Sequence, residues 1–543
     1  MLDILVLAAR PFFSNYKTVG DLDSPLLMPM NGHTLLDEII SLYPVNRLIF
    51  VINDAATRTG RMVDYRSKTK ANLEKIEVPV ELIQLGPAST LIEVISKEVF
   101  KHQNGLLVMF GDSLIKVNQD INSKVPVIFG AESSSSERYS HFCFNENGVV
   151  VDFLEKGTST TSIRNVLSEV GAYYFPCLPE AKDFYESQTL SQMSDLLKTY
   201  SEVRFEVPIS WVDFGHWDAA TSSFYSGKTR SFNNLQISQN SQFLIKSSEN
   251  SSKIQDEYAY LASIPKTLEF YFPRVQAGND DASYRIEFWP IKSLSEYFVF
   301  WNMPNSSWQK VANSLVETLD KFASVFQSTR QIPSDLLFEF YSTRMLDRLA
   351  LIDGPLASLL NQEVVFLNGE RLLGFPRIRE KLIESLEDLS KDAKYSFTHG
   401  DFCFSNILID PSTMTMKFID PRGSFCGEKQ QGDLRYDAAK ILHSFHGLYD
   451  YIVNNMYYLE NLEHNSFKLN VVLSENYPEV HAIFDVALES YFGSDVYSQV
   501  KILEGTLFLS MLPLHAEDQD RQMAFALKAL SILNKELPVE NLL

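Results

Sequence analysis

The sequence is poor in cysteine, and this scarcity excludes several classes of protein. Its 543 residues include four cysteines, Cys143, Cys177, Cys403 and Cys426. None belongs to a C-x-x-C pair or has a histidine at the spacing of a metal site, which argues against a disulfide framework and against a zinc site. We therefore expect isolated, reduced thiols, as in a cytosolic protein.

The sequence also lacks any hydrophobic run of the ~20 residues that a membrane span requires. Its first residues, MLDILVLAAR, contain no basic segment followed by a long apolar core, so they do not have the pattern of a signal peptide. These two absences predict no membrane insertion and a cytoplasmic location.

Positive charge is scarce as well. Lysine and arginine number 48 against 69 aspartates and glutamates, which gives a formal net charge of −21. A surface of this sign repels a polyanion, so we predict no nucleic-acid partner. A local basic pocket for a phosphate group is compatible with this balance.

What is present is the composition of a globular protein, with 45% hydrophobic and 12% aromatic residues at a length that predicts two or three domains. In the first 220 residues, short apolar runs alternate with helical patterns. This alternation predicts an α/β domain with a mostly parallel, doubly wound sheet, whose ligands bind at the carboxyl ends of the strands. The predicted strands are DILVLAA (3–9), RLIFVIN (47–53), VELIQL (80–85), GLLVMFGD (105–112) and VPVIFGAE (125–132).

A change of composition predicts a domain boundary near residue 228, where a stretch rich in Ser, Asn and Gln begins. The strand-like runs QFLIK (242–246) and YRIEFWPI (284–291) follow, and amphipathic helical patterns dominate beyond residue 305. We therefore predict an α/β domain at 1–227 and an α+β, two-lobed domain at 228–543. Its small lobe would span about 228–300 and its helical lobe about 301–543.

One segment of the second domain, FTHGDFCFSNILIDPSTMTMKFIDPRG (397–423), is dense in polar side chains. Asp401 is followed by Asn406 and then by Asp420 at the end of a strand-like run. The intervening residues predict two short strands around a turn, which would return Asp420 to the side of Asn406. Phosphoryl transfer needs a carboxylate for the acceptor hydroxyl and hard oxygen ligands for Mg²⁺, and this segment supplies both.

The pattern H-G-D-x-x-x-x-N followed by I-D resembles the aminoglycoside phosphotransferase and choline kinase family, which is related to the protein kinases. The resemblance implies a protein-kinase-like fold that uses ATP, with Asp401 as the catalytic base and Asn406 and Asp420 as Mg²⁺ ligands. Upstream, Lys246 and Glu257 stand in the order of the kinase strand lysine and helix glutamate. By that resemblance Lys246 would contact the nucleotide phosphates and pair with Glu257.

Two further features concern the same resemblance. The segment GDLRYDAAKIL (432–442) looks like the family's downstream segment, in which Asp437 would be a structural acid near the catalytic loop. The sequence IDPRG departs from the family's usual aromatic residue after the aspartate. Arg422 would there help to bind an anionic substrate, or would form a solvent-facing salt bridge, and both alternatives stay open.

Residues 1–220 resemble the sugar nucleotidyltransferase (NTP transferase) family, whose sheet is Rossmann-like and of the glycosyltransferase-A type. The similarity lies in DILVLAAR, in DSPLLMPMNGHTLLDEII (23–40) and in an ordered series of later segments, QLGPAST, MFGDS, VDFLEKG, EVGAYYF and WVDFGHWD. It implies Mg²⁺ ligands at Asp112 and Asp213 and a nucleotide base beside Gly86. It also implies a catalytic Lys156 near the sugar phosphate.

The phosphate-binding glycines of that family are missing. AARPFFSNYK has Ala9, Arg10 and Pro11 in place of Gly-x-Gly, and proline removes an N–H donor. Ser24 stands where the family has a lysine, so Arg10 or Lys17 would have to serve as the phosphate cation. An active transferase and a nucleotide- or sugar-binding remnant therefore both stay open.

Together, the two resemblances imply a bifunctional enzyme of surface (capsular) polysaccharide precursor synthesis. The kinase would phosphorylate a small alcohol or sugar with ATP and Mg²⁺. The nucleotidyltransferase would then make an NDP-linked donor from that phosphate and CTP, UTP or another NTP. The alternatives are a single-activity small-molecule kinase with a degenerate, ligand-binding N-terminal domain, and a non-catalytic interaction protein. An oligomer is compatible with the sequence, and the acceptor is not identified by it.

Overall fold

A computed structural model of the chain describes residues 2–8, 20–30, 32–96, 105–132, 138–160, 163–176, 190–215, 233–237, 243–248, 251–278, 280, 282–326, 330–463 and 465–537. The chain divides into two compact units. The N-terminal unit comprises Met1–Asn15 and Asp21–Tyr225, and the C-terminal unit comprises Tyr16–Gly20 and Ser226–Leu543. None of the described helices has both the length and the apolar character needed to cross a membrane.

The N-terminal unit is an α/β structure. Its strands are β1 (Asp3–Leu7), β2 (Pro29–Met30), β3 (His33–Thr34), β4 (Arg47–Asn53), β5 (Leu73–Val78), β6 (Leu106–Phe110), β7 (Ser113–Lys116), β8 (Val127–Ala131), β9 (His141–Phe144), β10 (Val150–Leu154), β11 (Val166–Phe175), β12 (Arg204–Glu206) and β13 (Ser210–Asp213). Its helices are α1 (Leu35–Leu42), α2 (Thr57–Thr69), α3 (Val80–Gln84), α4 (Pro87–Ser96) and α5 (Met193–Leu197).

The central sheet of this unit has the strand order β10-β9-β11-β6-β1-β4-β5, with β8 paired to β11 and β12 paired to β8. Strands β6, β1, β4 and β5 are parallel. Their residues Leu5, Ile49 and Val108 are fully buried in one core with helix α4. Parallel strands covered on both faces have near-continuous apolar sequences, which is why β1, β4 and β6 were recognisable as strands.

Two sequence predictions for this unit are corrected. The sheet is mixed, because β11 runs antiparallel to its neighbours β6, β8 and β9, although β6, β1, β4 and β5 are parallel and β12 is parallel to β8. The run VELIQL, predicted as a strand at 80–85, forms helix α3 instead. Pro79 precedes this helix and has no N–H to donate to a β ladder, while the neighbouring strand β5 ends at Val78.

The C-terminal unit combines an antiparallel sheet with a larger, mainly helical part. Its strands are β14 (Asn233–Ile237), β15 (Phe243–Ser248), β16 (Val275–Ala277), β17 (Ser283–Glu287), β18 (Val364–Leu367), β19 (Glu370–Leu373), β20 (Ser396–Phe397), β21 (Ile407–Asp410), β22 (Thr415–Phe418), β23 (Gln431–Gly432), β24 (Tyr457–Glu463) and β25 (Ser466–Val471). Its helices are α6 (Ser251–Ala262), α7 (Leu294–Val299), α8 (Asn305–Ser324), α9 (Ser334–Phe338), α10 (Arg344–Leu349), α11 (Gly354–Leu360), α12 (Phe375–Ser390), α13 (Leu434–Phe445), α14 (Tyr449–Val453), α15 (Tyr477–Phe492), α16 (Ser494–Met511) and α17 (Gln519–Glu536).

The arrangement of these elements brings the predicted site residues to one region. The antiparallel sheet has the order β14-β15-β17-β16, and α6 packs on its strands β15, β16 and β17. In the helical part, α13, α16 and α17 pack together around buried residues such as Leu442, Leu509 and Phe525. The hairpin β21–β22 contacts both parts, since Phe418 N donates to Tyr271 O, which precedes β16, and the Phe418 ring packs against Phe322 of α8.

The parallel half of the N-terminal sheet should dominate the stability of that unit. Ile49→Ala on buried strand β4 is expected to lower the free energy of unfolding by about 2–5 kcal/mol, because it leaves a cavity in the core. Ile209→Ala is the matched control, since Ile209 is 64% exposed and its loss should change stability by less than about 0.5 kcal/mol. Urea unfolding with hydrogen-exchange mass spectrometry on peptides of this unit would measure both. Equal effects would contradict the assignment of β4 to the core.

Candidate active site

A buried lysine in the C-terminal unit holds two carboxylates together. Lys246 lies on β15, and its Nζ is 2.5 Å from Glu257 Oε1 on α6. The same Nζ is 2.6 Å from Asp420 Oδ1, which follows β22. Tyr284 on β17 donates a hydrogen bond of 2.6 Å to Glu257 Oε1. The lysine thus pairs with the glutamate named from the sequence and also reaches the aspartate 174 residues away.

The two carboxylates differ in their access to solvent. The side chain of Glu257 is 4% exposed, whereas that of Asp420 is 45% exposed. Burial by itself lowers the pKa of Lys246, but the charges of Asp420 and Glu257 outweigh it and raise the pKa above its ordinary value. Lys246 is therefore a protonated cation with one buried partner and one partner that a ligand can replace.

Asp401 is held from two sides. Asn406 Nδ2 donates to Asp401 O at 2.9 Å and to Asp401 Oδ2 at 3.1 Å. Lys440 Nζ, on α13, lies 2.9 Å from Asp401 Oδ1. Burial acts to lower the pKa of Lys440, but the Asp401 charge outweighs it and holds the pKa above its usual value. The carboxylate is oriented and paired, and its side chain remains partly open to solvent.

The loop that carries Asp401 is anchored by a buried acid. Asp437 Oδ2 accepts the N–H of His399 and Oδ1 accepts that of Gly400, each at 2.7 Å. Burial raises the pKa of Asp437 to about 8, and the two N–H donors act in the opposite direction. Gly400 has φ +78°, and a Cβ there would lie 2.6 Å from Cβ of Arg422. Glycine is therefore required at the centre of H-G-D.

The hairpin β21–β22 brings Asn406 and Asp420 to the same end. Its strands pair from Ile407 opposite Phe418 to Asp410 opposite Thr415, as the sequence predicted. Next to the Ile407–Phe418 pair, at the end of the hairpin away from the turn, Ile419 N donates to Asn406 O at 3.0 Å. Asp420 has φ +55°, a left-handed conformation that is uncommon for residues other than glycine and that clusters at functional sites.

The donor set at this end of the hairpin fits Mg²⁺. Asn406 Nδ2 is used toward Asp401, so Oδ1 is the Asn406 atom that a cation can take. Asp420 adds a carboxylate, and Mg²⁺ prefers such oxygen ligands and keeps several waters, so that two protein ligands suffice. No cluster of three or more His, Cys, Asp or Glu side chains suited to a metal occurs among the described residues.

A cavity of ≈ 450 Å³ opens beside this hairpin end. It is lined by helix α6, through Lys253, Asp256 and Glu257, and also by Phe340 and residues 421–424. This volume lies within the ~300–1,000 Å³ of ordinary ligand pockets. The cavity thus adjoins both the buried lysine pair and the segment that follows Asp420.

In the N-terminal unit, the two predicted metal ligands are neighbours. Asp112 directly precedes β7, Asp213 ends β13, and these two strands are paired. A Cβ on Gly215 would lie 2.7 Å from Asp112 Oδ2 and 3.2 Å from Asp213 Oδ1, so both carboxylates flank this glycine. Tyr139 OH donates to Asp213 Oδ2 at 2.7 Å. Two adjacent carboxylates are an oxygen donor set that suits Mg²⁺.

The other predicted residues of that unit are less closely connected. Lys156 follows β10 and is exposed. Gly86 has φ +110°, and a Cβ there would lie 2.2 Å from Ser191 O, so packing of the chain itself requires a glycine. Its role beside a nucleotide base stays a prediction. Arg10 and Lys17 lie outside the described residues.

Sequence reasoning missed two residues that contact the site. Lys440 lies three residues after Asp437 on helix α13, and this spacing puts both on one face, so the signal was available. Tyr284 lies on a predicted strand, but nothing in the sequence indicates that its hydroxyl reaches Glu257.

Comparisons with known proteins find similarity for the N-terminal part of the chain. No family model matches the sequence, and no curated protein does. Among solved structures, HddC from Yersinia pseudotuberculosis complexed with GMP-PN is 16% identical, with a TM-score of 0.33, over 42% of this chain and 99% of that one. A nucleoside-diphosphate-sugar pyrophosphorylase from Vibrio cholerae RC9 is 15% identical, with a TM-score of 0.31, over 41% and 99%. At these values no activity is transferred from them.

The anchoring of the H-G-D loop by Asp437 can be tested through stability. Asp437→Ala is expected to lower the free energy of unfolding by about 2–6 kcal/mol, because it leaves two buried N–H groups without an acceptor at about 1–3 kcal/mol each. Asp437→Asn keeps one acceptor oxygen and should cost less. Asp388→Ala is the control, since that side chain is 78% exposed. Urea unfolding measures all three, and an Asp437→Ala cost no larger than that of the control would refute the anchoring role.

Proposed function

We propose that the C-terminal unit is an ATP- and Mg²⁺-dependent phosphotransferase acting on a small alcohol or sugar. The supporting observation is the contact of Lys246 Nζ with both Glu257 and Asp420, beside a loop in which Asn406 orients Asp401. A protonated cation, a hydrogen-bonded carboxylate and a pair of hard oxygen ligands are the parts that phosphoryl transfer needs.

Each residue has a role that follows from its contacts. Lys246 is protonated and binds the nucleotide phosphates, and Glu257 positions it through a buried ion pair. Asp401 orients the acceptor hydroxyl and takes its proton, while Asn406 and Lys440 hold its two carboxylate oxygens. Asn406 and Asp420 would hold Mg²⁺, which when bound neutralises charge on the phosphates.

We further propose that the N-terminal unit transfers a nucleotidyl group from CTP, UTP or another NTP to the phosphorylated product. The adjacent carboxylates of Asp112 and Asp213 support this role. The NDP-linked product would be a donor for surface, including capsular, polysaccharide synthesis. Fusion of the two steps fits this order, because the product of the first reaction is the substrate of the second.

A specific observation favours the alternative of a degenerate, ligand-binding N-terminal unit. Ser24 stands where the resembled family has its phosphate-binding lysine, and it is fully buried. Its Oγ donates to Ala8 O at 3.1 Å and accepts from Leu26 N at 3.3 Å, capping a short helical turn. This position therefore supplies no cation, and transfer would depend on Arg10 or Lys17.

The phosphotransferase proposal predicts a large effect of one substitution. Asp401→Asn should lower phosphoryl transfer by about 10²–10⁴-fold, because the acceptor loses its proton acceptor while the fold is retained. Asp388→Asn, an equivalent change on an exposed side chain, should leave the rate unchanged. The full chain would be screened with ATP, Mg²⁺ and small alcohols and sugars, with products identified by mass spectrometry. ADP formation that is equal in Asp401→Asn and the wild type would refute the assignment.

The nucleotidyltransferase proposal is tested by adding CTP, UTP or another NTP to the same reactions. We expect the phosphorylated acceptor to gain a nucleotidyl group, and Asp112→Asn to abolish this second product without changing the first. Asp152→Asn, on the exposed strand β10, is the matched control. A first product that never gains a nucleotidyl group with any NTP would make the N-terminal unit a ligand-binding remnant.

A further inference from the structure

Three arginine side chains, Arg344, Arg348 and Arg422, gather beside the cavity that follows Asp420, and we call them the arginine cluster. Arg422 lines the cavity directly, as does Phe340. The guanidinium of Arg422 lies 4.9 Å from the centroid of the Phe340 ring, and that of Arg344 lies 5.4 Å from it. Two guanidinium groups therefore contact the same aromatic ring at the edge of a ligand-sized cavity.

The cluster has no acidic partner among the described residues. Arg422 Nη1 donates to Tyr436 OH at 3.2 Å, and Arg348 Nη1 donates to Ser510 O and Oγ at 2.9 Å each, but none of the three forms an ion pair with a carboxylate. Arg435, close by in sequence, shows the ordinary alternative, since its Nη2 lies 2.6 Å from Asp433 Oδ2. Asp256 and Glu257 line the same cavity, but neither forms an ion pair with these arginines, and Glu257 is paired with Lys246.

Three cations held together without a counterion favour the binding of an anion. Burial, together with the charges of Arg422 and Arg348, lowers the pKa of Arg344 to about 10. An oxyanion in the cavity would relieve this repulsion, and the planar guanidinium fork matches a carboxylate or phosphate with two parallel hydrogen bonds. The cluster is thus complementary to an oxyanion rather than to a neutral or cationic group.

The cluster is tied to the loop that carries Asp401. Arg422 N donates to His399 O at 2.8 Å, and its side chain packs where Gly400 has no Cβ. On the other side, a π-helical turn at Glu339–Thr343 immediately precedes Arg344 and contains Phe340. Such turns occur often at functional sites. An anion bound by the arginines would therefore lie close to the carboxylate that faces the acceptor hydroxyl.

Resting on the proposed phosphotransferase function, we propose that the acceptor alcohol carries a carboxylate or phosphate group, which Arg422 and Arg344 bind. Arg348 adds positive charge from its anchored position on α10. In the reaction, the acceptor hydroxyl oxygen forms a bond to the γ-phosphorus of ATP as the bond to the β,γ-bridging oxygen breaks. ADP leaves with that electron pair, and the hydroxyl proton passes to Asp401. The substrate class is a hydroxy acid or a phosphorylated alcohol.

The first experiment compares acceptors that share a skeleton and differ in charge. Glycerol, glycerate and glycerol 3-phosphate form one set, and glucose, glucuronate and glucose 6-phosphate form another. We expect the best acceptor to be anionic. Comparing glycerate with glycerol 3-phosphate, and glucuronate with glucose 6-phosphate, shows whether the site prefers a carboxylate or a phosphate. Arg422→Gln keeps the carbons that pack on Gly400 and should raise KM for the anionic acceptor by about 10–100-fold with KM for ATP unchanged. A preferred neutral acceptor, or a rise in KM for ATP instead, would overturn the proposal.

The second experiment separates this inference from the proposed function. Binding of inorganic phosphate to the full chain would be followed by ³¹P NMR with the nucleotide site filled by a non-hydrolysable ATP analogue and Mg²⁺. We expect binding in the wild type and in Asp401→Asn, and at least about tenfold weaker binding in Arg422→Gln and Arg344→Gln. Arg379→Gln, on an exposed face of α12, is the control.

Phosphate binding and phosphoryl transfer test the anion site and the phosphotransferase function separately. If phosphate binding depends on the arginines but no transfer depends on Asp401, the phosphotransferase function is contradicted and the anion site remains. If a neutral alcohol is phosphorylated and phosphate binding does not depend on Arg422 or Arg344, the anion site is contradicted and the phosphotransferase function remains. Arg422→Lys retains the charge but not the fork, so it should restore part of the binding if the site is bidentate. Thermal unfolding of each variant checks that it is folded.

Discussion

The C-terminal unit depends on one constraint, the burial of the Lys246 ammonium group. A buried charge is tolerated only when it is paired and hydrogen-bonded, so Glu257 must come from α6 and Asp420 from the end of β22. Removing one partner of such a pair typically costs about 3–5 kcal/mol, because the other charge is left buried and uncompensated. The ammonium group of Lys246 therefore connects the sheet, the helix and the hairpin.

The same constraint explains how the site can be both rigid and open. Glu257 is almost fully buried and receives a second hydrogen bond from Tyr284, which helps to fix it beside Lys246. Asp420 is nearly half exposed, and its backbone is left-handed just after the end of β22. Under the proposed function, a phosphate would bind Lys246 and Asp420 would bind Mg²⁺, while the buried Lys246–Glu257 pair would stay in place. Glu257 is thus the fixed partner of Lys246, and Asp420 is the partner that can be exchanged for a ligand.

Much of this organisation could be predicted from the sequence, and the failures have physical causes. Strand β4 and the hairpin β21–β22 were predicted because their apolar runs are bounded by polar or turn residues. Helix α3 was missed because a short apolar run after a proline has the same composition as a strand. The antiparallel half of the N-terminal sheet was missed because strand direction depends on long-range pairing. At the site, Lys440 could have been found from its helical spacing, whereas Tyr284 could not.

Under the proposed function, the arginine cluster would supply positive charge for an anionic acceptor in addition to the lysine that would bind the nucleotide. Such a reaction brings together the nucleotide phosphates and the anionic group of the acceptor. A single cation could bind only one of these two anions at a time. Here the cations have different neighbours, because Arg422 packs on Gly400 and over Phe340 while Lys246 is paired with Glu257. On the proposal, the lysine would bind the nucleotide and the arginines would bind the acceptor. The arginine after I-D-P, where the resembled family has an aromatic residue, is on this account a determinant of acceptor charge.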